Sequence, residues 1–160
     1  TELVLIRHGW LSPDYELTDG ACIYGKMSYS GLSKRSASIE TAVGTWTFRS
    51  KELFSRTILI IDKDGQIIGE ITRDWFSRTG ILTLNDGFSA RFYRPAIWSR
   101  QYIWDAGNYG EIMNIKSTIL SLKTYVSIKA NVPASASAAP LLIFAGVHLI
   151  ILRRRKKAAR

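Results

Sequence analysis

Ala138-Ala-Pro-Leu-Leu-Ile-Phe-Ala-Gly-Val-His-Leu-Ile-Ile-Leu152, closed by Arg153-Arg-Arg-Lys-Lys157, decides how the rest of the chain is read. Pro140 suits the first turn of a helix, so the stretch predicts a helix beginning near Ala139. At about 1.5 Å per residue, a helix from Ala138 to Leu152 covers only about 22 Å, against about 30 Å for the hydrocarbon core of a bilayer. Extending it back through Ala134-Ser-Ala-Ser137 adds little apolar surface. Beyond His148 the helix has no polar face, so it belongs either in lipid or in the middle of a protein. The basic stop and the lack of acidic residues favour a span, whereas the shortness favours a core. The remaining sequence must decide.

That remainder is β-prone. Between Gly20 and Lys129, short apolar runs are punctuated by turn residues, and helical periodicity never lasts beyond about two turns. Strands are expected at 21–28, 36–43, 45–49, 57–62, 66–72, 80–84, 88–93, 97–104, 111–115 and 122–129. Strands from the first twenty residues raise the total to eleven or twelve. Asp62-Lys-Asp-Gly65 and Asn85-Asp-Gly87 both place Asp-Gly between apolar runs, where glycine supplies the positive φ of a tight hairpin. A weak repeat links them, since Phe54-Ser-Arg-Thr57 and Phe76-Ser-Arg-Thr79 each precede one of these hairpins. So many antiparallel strands hide their edges best by closing. A barrel of about twelve strands is too wide for its own side chains to fill, and an apolar helix of this length matches its axis. Ala145 and Gly146 would let strand side chains approach that helix closely. The expectation is a single barrel domain over residues 1–152, with the helix at 139–152 inside it and a basic tail at 153–160.

Ile58-Leu-Ile-Ile-Asp-Lys-Asp-Gly-Gln-Ile-Ile-Gly-Glu-Ile-Thr72, the strand succession and the terminal apolar helix together resemble the tubby-like barrel superfamily, which includes phospholipid scramblases and the LURP-one-related proteins. The resemblance covers most of the chain. It implies that the helix lies through the barrel, and it implies lipid or phosphoinositide-headgroup binding for some members. The chain departs from better-known relatives in being shorter and in extending the helix with five consecutive basic residues that a buried plug does not need. No motif carries a headgroup site over residue by residue.

Charge points to the same end of the chain. Of the net +9, six cations lie within residues 153–160, which leaves +3 for the body. Arg153, Arg154, Arg155, Lys156 and Lys157 suit anionic headgroups, at about 1 kcal/mol per charge near such a surface; the competing reading is a solubilising tail, or cations stabilised by the negative end of the helix dipole. Arg91, Arg94 and Arg100 interleave with Phe88, Phe92, Tyr93, Trp98 and Tyr102 and could contact lipid phosphates or stack on nucleic acid; the plainer reading is the polar outside of strands. A body charge of +3 argues against nucleic acid as the leading partner.

The remaining motifs have structural explanations. Arg7-His8-Gly9 copies the histidine-phosphatase signature, but that chemistry needs a second histidine, further arginines and an α/β sheet; the other histidine, His148, sits in the apolar helix. A strand ending at Gly9 explains the tripeptide. Asp62-Lys-Asp-Gly-Gln-Ile67 resembles the middle of a calcium-binding EF-hand loop, yet aligning Gly65 with the invariant glycine puts Ile60 and Ile71 where acidic ligands belong. His148 alone makes no metal site. The methionines and the tryptophans at 10, 46, 75, 98 and 104 read as barrel core and rim. Cys22 is the only cysteine, which rules out an intrachain disulfide and allows a reducing compartment. Residues 1–7 lack the pattern of a secretory leader. The expected function is a non-enzymatic, monomeric module without cofactor at the cytoplasmic membrane face, bound to anionic phospholipid headgroups or to a protein. The alternative is a single-pass protein anchored by residues 138–152.

Overall fold

A computed structural model of the chain describes residues 2–9, 13–30, 36–53, 55–74, 78–117, 123–129 and 138–158, the side chains of Lys157 and Ala158 excepted. Twelve strands form a closed barrel: β1 (Glu2–His8), β2 (Asp14–Thr18), β3 (Ile23–Ser30), β4 (Ser36–Thr41), β5 (Thr45–Ser50), β6 (Thr57–Asp62), β7 (Ile67–Arg73), β8 (Gly80–Leu84), β9 (Ser89–Tyr93), β10 (Gln101–Asp105), β11 (Glu111–Ser117) and β12 (Lys123–Ile128). Each strand pairs antiparallel with its neighbour in sequence, and β1 pairs with β12 to close the ring. A helix, α1 (Ala139–Ala158), completes the fold. The strand expected over 97–104 starts later, at Gln101, and runs to Asp105, because 94–100 is a loop. The helix does not stop at Leu152 either; the basic run continues it.

Strand alternation fills the barrel. Leu3, Leu5, Leu17, Met27, Ile39, Phe48, Ile58, Ile60, Ile71, Leu82, Phe92, Trp104 and Ile115 point inward and are buried, while intervening positions such as Lys26, Glu40, Arg49, Glu70 and Lys116 face outward and are exposed. Residues 141–151 of α1 are buried throughout, which is what a helix apolar all round requires. Among the described residues no helix is long and apolar enough to cross a membrane.

Three contacts fix the helix along the barrel axis. At Gly25 a Cβ would stand 2.8 Å from Phe144, and at Gly80 one would stand 3.0 Å from Leu149. Between them, Gly146 lies so close to the wall that a Cβ would come within 2.7 Å of Ile115 and 2.9 Å of the Trp104 indole nitrogen; no larger residue fits without displacement. Trp104 Nε1 donates a hydrogen bond to the Leu142 carbonyl (2.9 Å), so the buried indole is satisfied by the helix backbone itself.

The barrel thus has two ends. Strands β6 and β7, and β8 and β9, turn at one of them through the two Asp-Gly hairpins, with Gly65 and Gly87 at φ of 79° and 95°. Phe54 and Phe76, which head the repeat preceding these hairpins, lie outside the described residues. The C-terminal turns of α1 emerge at the opposite end, where they meet Tyr29, Arg78 and Ser117. These are the hairpin end and the helix-exit end.

Candidate functional site

Near the helix-exit end the inward face of the wall changes from apolar to polar. After Leu3 and Leu5 the next inward position of β1 is Arg7, and its partner on β2 is Tyr15. Tyr29 follows Met27 on β3, Arg73 follows Ile71 on β7, and Ser117 follows Ile115 on β11. Among the described strand residues, no Asp or Glu holds an inward position in this layer.

The helix brings its cations into the same layer. Arg154 donates to the Ser117 hydroxyl at 2.6 Å. Arg155 lies over the Tyr29 ring, 4.4 Å from its centroid, a cation–π contact. Arg153 is half-buried, donates to the Arg78 carbonyl and stands 5.7 Å from the Tyr102 ring. Burial lowers the Arg153 pKa, with Tyr102 acting in the opposite direction. Tyr15 meets Tyr29 edge-on at 6.4 Å. Burial raises the Tyr15 pKa, and the nearby cations, Arg7 first and then Arg155 and Arg154, pull it back down.

Two turns below Arg155, His148 is buried and its Nδ1 lies 2.7 Å from the Tyr29 hydroxyl, with the two rings stacked at 5.6 Å. Burial, reinforced by Arg155 and Arg73, depresses its pKa to about 3. The imidazole is therefore neutral across the physiological range. Tyr29, buried beside it, has its hydroxyl pKa pushed up, so that proton stays in place.

Most of the cations expected from the sequence converge here. Arg153, Arg154, Arg155 and Lys156 stand at the barrel mouth, while Lys157 continues the helix with its side chain outside the described part. Arg94 is half-buried, 5.9 Å from the Tyr102 ring, and Arg100 is exposed on the same rim, its carbonyl accepting from Ser117 N. Arg91 does not join them. It faces outward on β9, 4.6 Å from Tyr93, and lines an open groove of about 760 Å³ with Phe88, Asp105 and Tyr109 toward the hairpin end. His8 is exposed at the end of β1, whereas His148 lies in the core, so the two histidines do not share a site. In the calcium-like turn, Asp62 Oδ1 accepts from Asp64 N and Gln66 N at 2.9 Å, which gives the carboxylate to the hairpin.

The sequence reading overlooked two features of this end. The first is the inward polar layer, although the alternation Leu3, Leu5, Arg7 announces it. The second is apolar exposure. Trp98 is 84% exposed, Leu53 72% and Ile97 65%, and all three sit in loops of the helix-exit rim. Of the tryptophans expected in core and rim, Trp104 is buried, Trp46 is half-buried and Trp98 stands exposed on the rim; Trp10 and Trp75 lie outside the described residues.

No protein-family model, no curated protein and no solved structure matches this chain.

Proposed function

We propose that the chain is a non-enzymatic, tubby-like β-barrel module that docks on anionic phospholipid at the cytoplasmic face of a membrane, using the helix-exit end. One observation carries the reading: exposed Trp98, Ile97 and Leu53 stand on the same rim as Arg100, Arg94 and the cations of the helix end. Peripheral membrane binding adds apolar insertion to electrostatic attraction, and tryptophan favours the interface. Each cation near the surface contributes about 1 kcal/mol. Exposed Ile23, Val43 and Ile67 at the hairpin end lie beside Asp19, Glu40 and Asp64, whose charge an anionic surface repels. A closed barrel around a C-terminal helix is also the architecture that the tubby-like resemblance implies.

The test is co-sedimentation of the chain with vesicles of phosphatidylglycerol and phosphatidylcholine. Binding is expected to grow with the phosphatidylglycerol fraction, to fall steeply with salt, and to drop at least fivefold in Trp98→Ser with the fold unchanged. Binding indifferent to both lipid charge and Trp98 would rule the reading out.

A further inference from the structure

The polar layer inside the mouth calls for more than a rim that meets a flat charged surface. Arg7 points inward, and its Nε is buried without a hydrogen-bond partner among the described residues. Leaving such a donor unmet forfeits its hydration without a replacement, and the cost is greater when the group is charged. From Arg7 the wall continues through its register partner Tyr15 to Tyr29, which stacks against Arg155, and Arg154 stands on Ser117 close by. Like charges from wall and helix are thus held together in a half-buried layer whose neighbouring side chains are hydroxyl-bearing. The helix dipole eases cations at a C-terminus. It does nothing comparable for Arg7, which belongs to a strand.

We infer that the mouth is a binding site for a phosphate-type dianion, held between Arg7 on the wall and Arg154 and Arg155 on the helix, with the Tyr15 hydroxyl as a further donor. Guanidinium forks match tetrahedral phosphate oxygens, and such charge-assisted bonds are about twice as strong as neutral ones. The ligand chemistry is a phosphate monoester or free phosphate. A lipid headgroup and a soluble phosphate both present it, and the lipid source rests on the membrane reading above.

The full chain is titrated with inorganic phosphate against chloride at matched ionic strength, following thermal unfolding. A saturable rise in Tm is expected with phosphate alone. Arg7→Gln and Arg154→Gln should each weaken the apparent affinity about tenfold, while Lys26→Gln on the exposed outer face of β3 leaves it unchanged. Arg154 is exposed, so that variant remains informative if Arg7→Gln fails to fold. A second arm compares vesicles of phosphatidic acid, a monoester, with phosphatidylglycerol, a diester, at equal surface charge. Preference for phosphatidic acid that free phosphate abolishes identifies a lipid headgroup; saturable phosphate binding without that preference identifies a soluble ligand, and either supports the site. No phosphate effect beyond chloride together with no monoester preference overturns it, as does an effect lost in Lys26→Gln but kept in Arg7→Gln and Arg154→Gln. Loss of all vesicle binding while phosphate still saturates would instead sink the membrane reading and leave the site standing.

Discussion

The two ends of the barrel carry opposite charge for different reasons. At the hairpin end the carboxylates are consumed by turns: Asp19 Oδ1 accepts from Ala21 N and Cys22 N at 2.8 Å, Asp62 from Asp64 N and Gln66 N, Asp86 from Phe88 N at 2.9 Å, and Asp105 from Gly107 N at 2.8 Å. Each is a short side chain closing its own backbone, the ordinary reason for Asp in a turn. Asp19, which also accepts from the Tyr24 hydroxyl, has its pKa held down to about 2 by that bond and by the backbone amides. At the helix-exit end Arg153, Arg154 and Arg155 meet the Arg78 carbonyl, the Ser117 hydroxyl and the Tyr29 ring instead, while Arg7 Nε has no hydrogen-bond partner among the described residues. The carboxylates close turns in the backbone, whereas the cations gather around a barrel mouth. That asymmetry is why the positive end is the one to question for function.

Removing the helix tests the comparison most severely, because both ends depend on it. A chain ending at residue 132 loses Leu142, Phe144, Leu149 and Ile150 from the axis, each worth about 1.5–3 kcal/mol of burial. Cooperative thermal unfolding by circular dichroism is expected to vanish. A truncated chain that still unfolds cooperatively would mean that the wall closes without its core. Gly146→Val is the milder form, forcing a side chain against Ile115 and Trp104, and should cost about 1–3 kcal/mol or more.

His148 marks where the apolar interior gives way to the polar mouth, and its titration reads that boundary. Its folded pKa of about 3 lies below the ordinary value near 6.5, so the unfolded chain binds the extra proton first as pH falls. The contribution is fully present above about pH 6.5 and is lost as pH falls through that window toward 3. Between pH 6.5 and 5 the loss is about 2 kcal/mol. Urea unfolding across this range should show the slope in the native chain and a flatter profile in His148→Leu. Equal slopes would place the imidazole in contact with water.

Much of this architecture is legible before any coordinates. Alternation and Asp-Gly turns mark the strands, and the all-round apolarity of residues 141–152 with too little length for a bilayer marks a helix in a core. What stayed hidden depends on where the strand ends meet in space. Arg7, Tyr15, Tyr29 and Ser117 come from four separate strands, and only closure of the barrel brings them to one mouth. Arg91 misled for the converse reason. It is three residues from Arg94, yet strand geometry sets it about 10 Å toward the other end and on the outer face. The exposure of Trp98 was equally invisible, since an aromatic in a loop and an aromatic in a core look alike until the loop is placed.

The smallest effects sharpen the contrast most, because a matched pair of substitutions separates stability from binding. Asp62→Ala removes the acceptor for two backbone N–H groups and should lower stability by about 1 kcal/mol, seen as a shift of about 3 °C in Tm. Its vesicle binding should hold or strengthen slightly, since one negative charge is lost far from the docking rim. Arg100→Ala should do the reverse. It is exposed, so Tm should move by less than about 1 °C, while affinity for phosphatidylglycerol vesicles falls about fivefold, the equivalent of about 1 kcal/mol for one cation at an anionic surface. If Arg100→Ala destabilised the barrel as much as Asp62→Ala and left vesicle binding intact, the basic end would have a folding explanation of its own, and the difference between the two ends would lose its functional meaning.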